Sequence, residues 1–273
     1  MQPPFEDVFL TAALAFAAWV GVTLLSVASG YLVERARGAR RVWALPLDKG
    51  QLRREIIGNA LFVGTAIIVT VAVLHAGLIR FASPEEAGWG RAVATFAALN
   101  FGFQAYYYVV HRLLHLRAFV RFHRWHHLSR VTTPLSAQSM HPLETLLWMV
   151  GYFGLPALLA LISPLSFGAW AAYLAYNVFG NIVGHANVEV VAPDRTLWWR
   201  STLATVFTFH ALHHARWTGH YGFASTWADR LFRTEWSDWP DLHQQVWRRE
   251  PLQSLKQRGQ PRELSGPLTV PAE

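Results

Sequence analysis

From Val8 to Val33 the chain runs 26 residues without an acidic or basic side chain, and a helix of about 20 apolar residues suffices to cross a bilayer. That run restricts the chain to architectures that bury or embed such a helix. Glu6 and Asp7 precede it in place of a basic leader, so it reads as a retained helix and not as a cleaved signal. Further apolar runs follow at Ile56–Leu78 and Ala92–Val110, the latter ending in Tyr106, Tyr107 and Tyr108, a cluster suited to a membrane–water interface. Two more, Thr145–Ile162 and Leu165–Ile182, are separated only by Ser163 and Pro164 and predict a tight helical hairpin that crosses the membrane or dips into it.

The expected fold is therefore all-α: an integral-membrane helical bundle of about three spanning helices plus a hairpin. Three regions are expected: N-terminal membrane helices with a basic loop over 1–91, a catalytic unit over 92–240, and a polar tail over 241–273, poorly ordered after Pro251. Hydrophobic residues are 52% of the chain and charged ones only 15%, a charge content low for a soluble protein. The formal charge of +7 is concentrated where it orients a membrane protein. Arg35, Arg37, Arg40, Arg41, Lys49, Arg53 and Arg54 lie between the first two apolar runs, and short loops rich in Arg and Lys stay cytoplasmic. This placement favours a multi-pass membrane protein over a nucleic-acid partner. It also puts nearly every histidine on the cytoplasmic side, in a helical cap.

The chain has no cysteine, which excludes disulfides, thiolate ligands, iron–sulfur clusters and a cysteine nucleophile. Metal chemistry must then use nitrogen or oxygen, and the 13 histidines are grouped accordingly. HRLLH places His111 and His115 four apart, on one helical face. HRWHH (His123, His126, His127) and HALHH (His210, His213, His214) each put three imidazoles at i, i+3 and i+4. Eight such nitrogens exceed the four of one tetrahedral zinc, so two metals are the economical reading. His185, at the end of the fifth run, is a further ligand candidate. His141, Glu144 and His220 are candidates to orient ligands from behind, with His141 and His220 also open as ligands. His75 and His243 read as structural.

In these motifs the chain resembles the fatty acid hydroxylase and sterol desaturase superfamily over about residues 98–239. The resemblance rests on HRLLH, FHRWHH, the HPLE element at His141, the GHAN element at His185, FHALHH, and the trailing HYGF and DRLF segments, in that order. It implies a cytoplasmic di-iron centre, dioxygen as co-substrate, and hydroxylation or desaturation of a lipid such as a fatty acyl chain or sterol. It assigns ligand roles to His111, His115, His123, His126, His127, His185, His210, His213 and His214. No cytochrome b5-like segment flanks the motifs, so electrons are expected from an external donor of ferredoxin or cytochrome b5 type with its reductase. Three positions depart from the pattern: Asn181 stands where some relatives have a histidine, His220 where many have Asn, and Arg233 where Gly is common. A zinc-dependent membrane hydrolase or a metal transporter is the competing class; the HExxH pattern of many zinc proteases is absent.

Overall fold

The structure is a computed structural model that describes residues 6–36, 38–86, 88–193, 201 and 206–260. Arg37 of the basic loop and residues 261–273 of the expected tail lie outside them.

Helix α1 (Val8–Arg35) starts where the Asp7 carboxylate accepts from the amides of Phe9 and Leu10, a helix N-cap. Its buried face is Thr11, Ala15, Trp19, Thr23, Ser26 and Gly30, while Phe9, Leu24, Leu25 and Leu32 point outward. Mostly small residues inside and large apolar ones outside is the pattern of a helix packed in lipid, where close backbone approach drives association. Gly30 is a case in point, since a Cβ there would lie 2.6 Å from Pro134 Cγ. Helix α2 (Gln51–His75) buries Gln51, Glu55, Gly58, Asn59, Phe62, Ala66, Thr70 and Leu74, a stripe that is polar at one end and apolar at the other.

Helix α3 spans Trp89–Leu114 and α4 spans Val120–His127. A 3-10 turn (Pro134–Gln138) leads to α5 (Pro142–Met149), which continues through a π turn (Val150–Gly154) into α6 (Leu155–Ile162). Pro156 cannot donate to the carbonyl four residues back, which accounts for the altered ladder there. After the turn at Ser163 and Pro164, held by the Arg91 guanidinium, α7 runs Phe167–Gly184. Thus the expected hairpin is present. α1 packs on α2 and α7, and α7 also on α3.

Among the described residues, three helical runs are long and apolar enough to cross a membrane: α1, α2 and Pro142–Ile162. α3, expected as the third span, is not among them, nor is α7. The polar side chains that dilute these two helices are used inside the bundle: Asn177 donates to Asn100 at 3.0 Å. The tyrosines at the end of α3 also differ from an interfacial belt. Tyr108 is buried and stacks on Phe232, and Tyr107 stacks on Trp148 at 4.6 Å.

Beyond α7 lies a second core. Strand β1 (Arg40–Arg41) pairs antiparallel with β2 (Val188–Glu189), and α8 (Phe207–Arg216), α9 (Trp227–Leu231) and α10 (Trp239–Trp247) follow. Val42, Trp43, Phe209, Leu212, Trp239, Leu242, Val246 and Leu252 fill it. The segment after Pro251 is thus not loose up to residue 260. Leu252 is fully buried and exchanges backbone hydrogen bonds with Val42 and Ala44; one apolar side chain in a polar stretch is enough to dock it.

Candidate metal centre

Nine imidazoles converge between the bundle and the second core, in two groups. His111, His115, His123, His127 and His213 form one; His126, His185, His210 and His214 form the other; within each, the candidate ligand atoms lie within 4.8 Å of one another. These are the nine positions expected from the motifs. The groups abut, with the rings of His127 and His214 4.8 Å apart. α4 and α8 each feed both groups, because neighbouring helical positions face in different directions: His123 and His127 turn one way, His126 the other.

Five of the nine rings are aimed by a group behind them. His123 Nδ1 donates to Glu144 Oε1 at 2.7 Å, and the same oxygen accepts from Trp148 Nε1. His111 Nδ1 donates to Tyr221 O (2.7 Å), His213 to Gly219 O (2.8 Å), His214 to Ser129 O (3.0 Å) and His185 to Asn181 O (2.6 Å). A neutral imidazole with its proton on Nδ1 presents a bare lone pair on Nε2. Yet Nε2 of His111 stands 3.1 Å from Nε2 of His123, and Nε2 of His185 and His214 stand 3.0 and 3.2 Å from that of His210. His127 Nε2 is likewise 3.0 Å from His123 and 3.1 Å from His213.

A second proton on the rings does not relieve this crowding, and His111 and His123, both of whose Nδ1 protons are engaged, face each other with bare Nε2 atoms. Burial, reinforced by the neighbouring rings, pushes His115 down to about 2, and His126 to about 4; burial alone takes His123 to about 3. Burial and the adjacent imidazoles hold His127, His210, His213 and His214 well below the ordinary range. Two lone pairs at 3 Å are reconciled by a cation that both face: ligands on metal–nitrogen bonds of about 2.1 Å sit about 3 Å apart. Buried His115 Nε2 and His126 Nδ1, which have no hydrogen-bond partner, add two more unspent donors. The residues therefore fit bound metal, with all-nitrogen donors.

Glu144, a candidate to orient a ligand from behind, faces His123 and not His141. His141 caps α5, accepting from Leu143 N at 3.2 Å, and joins neither group. His220 has both nitrogens engaged, donating to Phe209 O (2.9 Å) and accepting from Trp236 N (2.8 Å), with its ring stacked on Phe209. It braces α8 one residue before His210. His75 ends α2, and buried His243 lies 3.7 Å from Glu189.

The sequence reading missed the supports that carry no histidine. Asp229 accepts from Tyr221 N, Gly222 N and Thr234 Oγ1, fixing the loop whose carbonyls orient His111 and His213. Glu55, on α2, accepts from Gln51, Ser129 and Thr133 and so fixes the residue whose carbonyl orients His214. Trp217 covers His127 at 4.6 Å from the left-handed region (φ 70°). A carboxylate near the motifs was the available signal for Asp229, in the DRLF segment.

Residues 96–234 match the fatty acid hydroxylase family. The chain belongs to that family. Its relatives include very-long-chain aldehyde decarbonylase GL1-5 of Oryza sativa subsp. indica, 27% identical over 80% of this chain and 34% of the relative. Very-long-chain aldehyde decarbonylase CER1 of Arabidopsis thaliana is 26% identical over 72% of this chain and 32% of its own length. Methylsterol monooxygenase 1 of Danio rerio is 30% identical over 48% of this chain and 43% of its own length. The chain spans about a third of the length of the plant relatives. No solved structure matches it. Family membership and the three candidate spans together make this fatty acid hydroxylase family member a membrane protein.

Proposed function

We propose that this chain is a membrane-bound, dioxygen-dependent di-iron oxidoreductase that hydroxylates or desaturates a lipid. The observation that carries the reading is the pair of abutting imidazole groups, five and four rings, with lone pairs crowded to 3.0–3.2 Å. One iron would be held by His111, His115, His123, His127 and His213, the other by His126, His185, His210 and His214. Bound there, iron would supply the one-electron chemistry that dioxygen activation needs; imidazole suits iron, as it does zinc and copper.

The chain's own part is to position and to exclude water. Burial keeps the rings neutral, while backbone carbonyls and Glu144 aim five of them. The cavity that reaches His123 and His126 is walled by Phe62, Tyr107, Met140, Trp148 and Tyr152, and Glu144 is turned onto His123. Such walls favour an apolar carbon over water. Two relatives named for very-long-chain aldehydes and methylsterols support a lipid substrate.

The basic loop between α1 and α2 supports a multi-pass topology with the metal face in the cytoplasm. Electrons come from an external carrier of ferredoxin or cytochrome b5 type. Exposed Arg117, Arg121, Arg124 and Arg130 around α4 suit an acidic one. Reversing Arg121 and Arg124 to Glu should raise the KM for such a carrier several-fold and leave iron content unchanged; an unchanged KM removes the patch from the reading.

The deciding experiment is elemental analysis of detergent-purified protein from iron-replete cells, beside the His126→Ala/His213→Ala variant, with lipid extracts compared by mass spectrometry in air and under nitrogen. Two irons per chain, lost in the variant, and an oxygen-dependent gain of oxygen or loss of two hydrogens in a lipid are expected. One zinc and oxygen-independent turnover would establish the hydrolase class instead.

A further inference from the structure

Two cavities meet at a wall of aromatic rings. The one at the metal centre is lined by His123 and His126 together with Phe62 and Tyr152, and at about 20 Å³ it has barely room for a water molecule. The other is a groove of about 410 Å³ between α1, α2 and α7, within the roughly 300–1,000 Å³ range of small-molecule sites. Its lining has no charged side chain, and its polar groups are the hydroxyls of Thr11 and Thr70 and the indoles of Trp19 and Trp170. Along α1 it extends from Thr11 to Val22, roughly 16 Å at about 1.5 Å per residue. That is about half the hydrocarbon thickness of a bilayer.

Trp19 stands between them. It lines the groove, and its ring stands edge-on to Phe62 (6.2 Å) and Tyr152 (6.4 Å), two of the rings that wall the metal-side cavity. The indole is pinned: Nε1 donates to Thr70 Oγ1 at 2.8 Å, and that hydroxyl donates to Ala66 O at 2.7 Å. An indole N–H among hydrocarbon needs such a partner, so the bond fixes the ring across the boundary.

We infer that the α1–α2–α7 groove holds the hydrocarbon chain of the substrate, and that Trp19, anchored by Thr70, is the partition that sets how much of that chain reaches the metal-side cavity. A charge-free groove of this length accepts one unbranched acyl or alkyl chain and offers nothing to a headgroup, which must stay outside it. The metal-side cavity is too small for a chain, and the groove behind this ring is an uncharged space next to it that is long enough to hold one. The inference rests on the lipid-oxidoreductase reading above.

The test is photolabelling of the iron-loaded, detergent-purified protein with a palmitic acid analogue carrying a mid-chain diazirine, mapped by mass spectrometry, with unlabelled palmitic acid as competitor. Saturable, competed label on residues 11–22 and 167–178 is expected in the wild type. In Trp19→Ala, label on Phe62 and Tyr152 should rise several-fold at unchanged iron content, and Thr70→Val, which frees the indole without removing it, should give a smaller rise. Ala171→Phe, which fills the groove, should abolish the competed label. The inference is overturned if groove label is no more competed than label on lipid-facing Leu24 and Leu25, or if neither Trp19→Ala nor Thr70→Val alters labelling of Phe62 and Tyr152. Competed groove label in a protein that binds no iron would sink the oxidoreductase reading and leave the groove; two irons and lipid turnover without competed label would do the reverse.

Discussion

Among the described residues, Glu144 is the one carboxylate hydrogen-bonded to either imidazole group, and it acts through His123. Its Oε1 takes the Nδ1 proton at 2.7 Å and an indole N–H from Trp148, which sets the tautomer that leaves Nε2 free. Groups behind a metal ligand are worth about 10–100-fold in affinity. Glu144→Gln should lower iron affinity by about that factor at the five-histidine group, read by competition with a coloured chelator, while the four-histidine group keeps its metal. Equal loss at both groups would contradict the assignment. Two departures from the family pattern also find their reason at single residues. His220 and Arg233 both sit at positive φ, 55° and 56°, where Asn and Gly are the residues that adopt that conformation most easily. Arg233 is exposed, so Arg233→Gly should remove strain and raise the stability of the detergent-solubilised protein by up to about 1 kcal/mol, seen as a higher melting temperature. A fall would mean that the arginine makes a contact worth more than its backbone strain.

Helices α1 and α2 approach the rest of the bundle through glycine. A Cβ on Gly58 would stand 2.6 Å from Ser139 Cα, and because that neighbour is backbone, the elements themselves must move apart. Gly58→Ala should therefore cost about 1–3 kcal/mol. Gly64→Ala, six residues along the same helix, meets nothing within 4 Å and should be neutral or gain up to about 1 kcal/mol from helix propensity. Parallel thermal melts check the pair, and equal effects would deny the close approach. The same elements show what sequence could and could not convey. Uncharged runs and the i, i+3, i+4 spacing of histidines are local properties, so α1, α2, the hairpin, and all nine converging imidazoles were legible. Helix α3, expected as a span, falls outside the helices apolar enough to cross, and its Asn100 reads the same in sequence whether it faces lipid or Asn177. Glu55 acts on the hydroxyls of Ser129 and Thr133, 74 and 78 residues away, and Asp229 on the amides of a loop seven and eight residues back; neither pairing follows a helical or strand period. Leu252 docks on Trp43 across about two hundred residues, which made its segment look like a loose tail.

At the scale of the molecule, two cores of different kinds share the imidazole groups as their joint. The membrane core, around Trp19, Phe62, Leu99 and Tyr173, is apolar and contains none of the histidines. The second core, around Trp43, Phe209, Leu212 and Trp239, is held over α8, whose buried inner face is His210, His213 and His214. Without a cation those rings confront lone pairs of His127 and His185 at about 3 Å, a repulsion that works to lift α8 off α4 and α7. Metal binding is then folding free energy for this half of the protein, and it stabilises by mass action according to how far the metal exceeds its dissociation constant. Stripping the metal with a chelator should lower the melting temperature, and the loss should not be uniform. Amide exchange should rise sharply over residues 206–217 and 120–129 while α1 and α2 keep their protection, because the apolar core that holds them does not contain the imidazoles. Adding ferrous iron back should restore protection over both segments together, since α4 and α8 each supply ligands to both groups and neither half can close alone. Loss of protection spread evenly over α1, α2 and α8 would instead mean that the two cores unfold as one unit, with the metal contributing nothing particular to the joint.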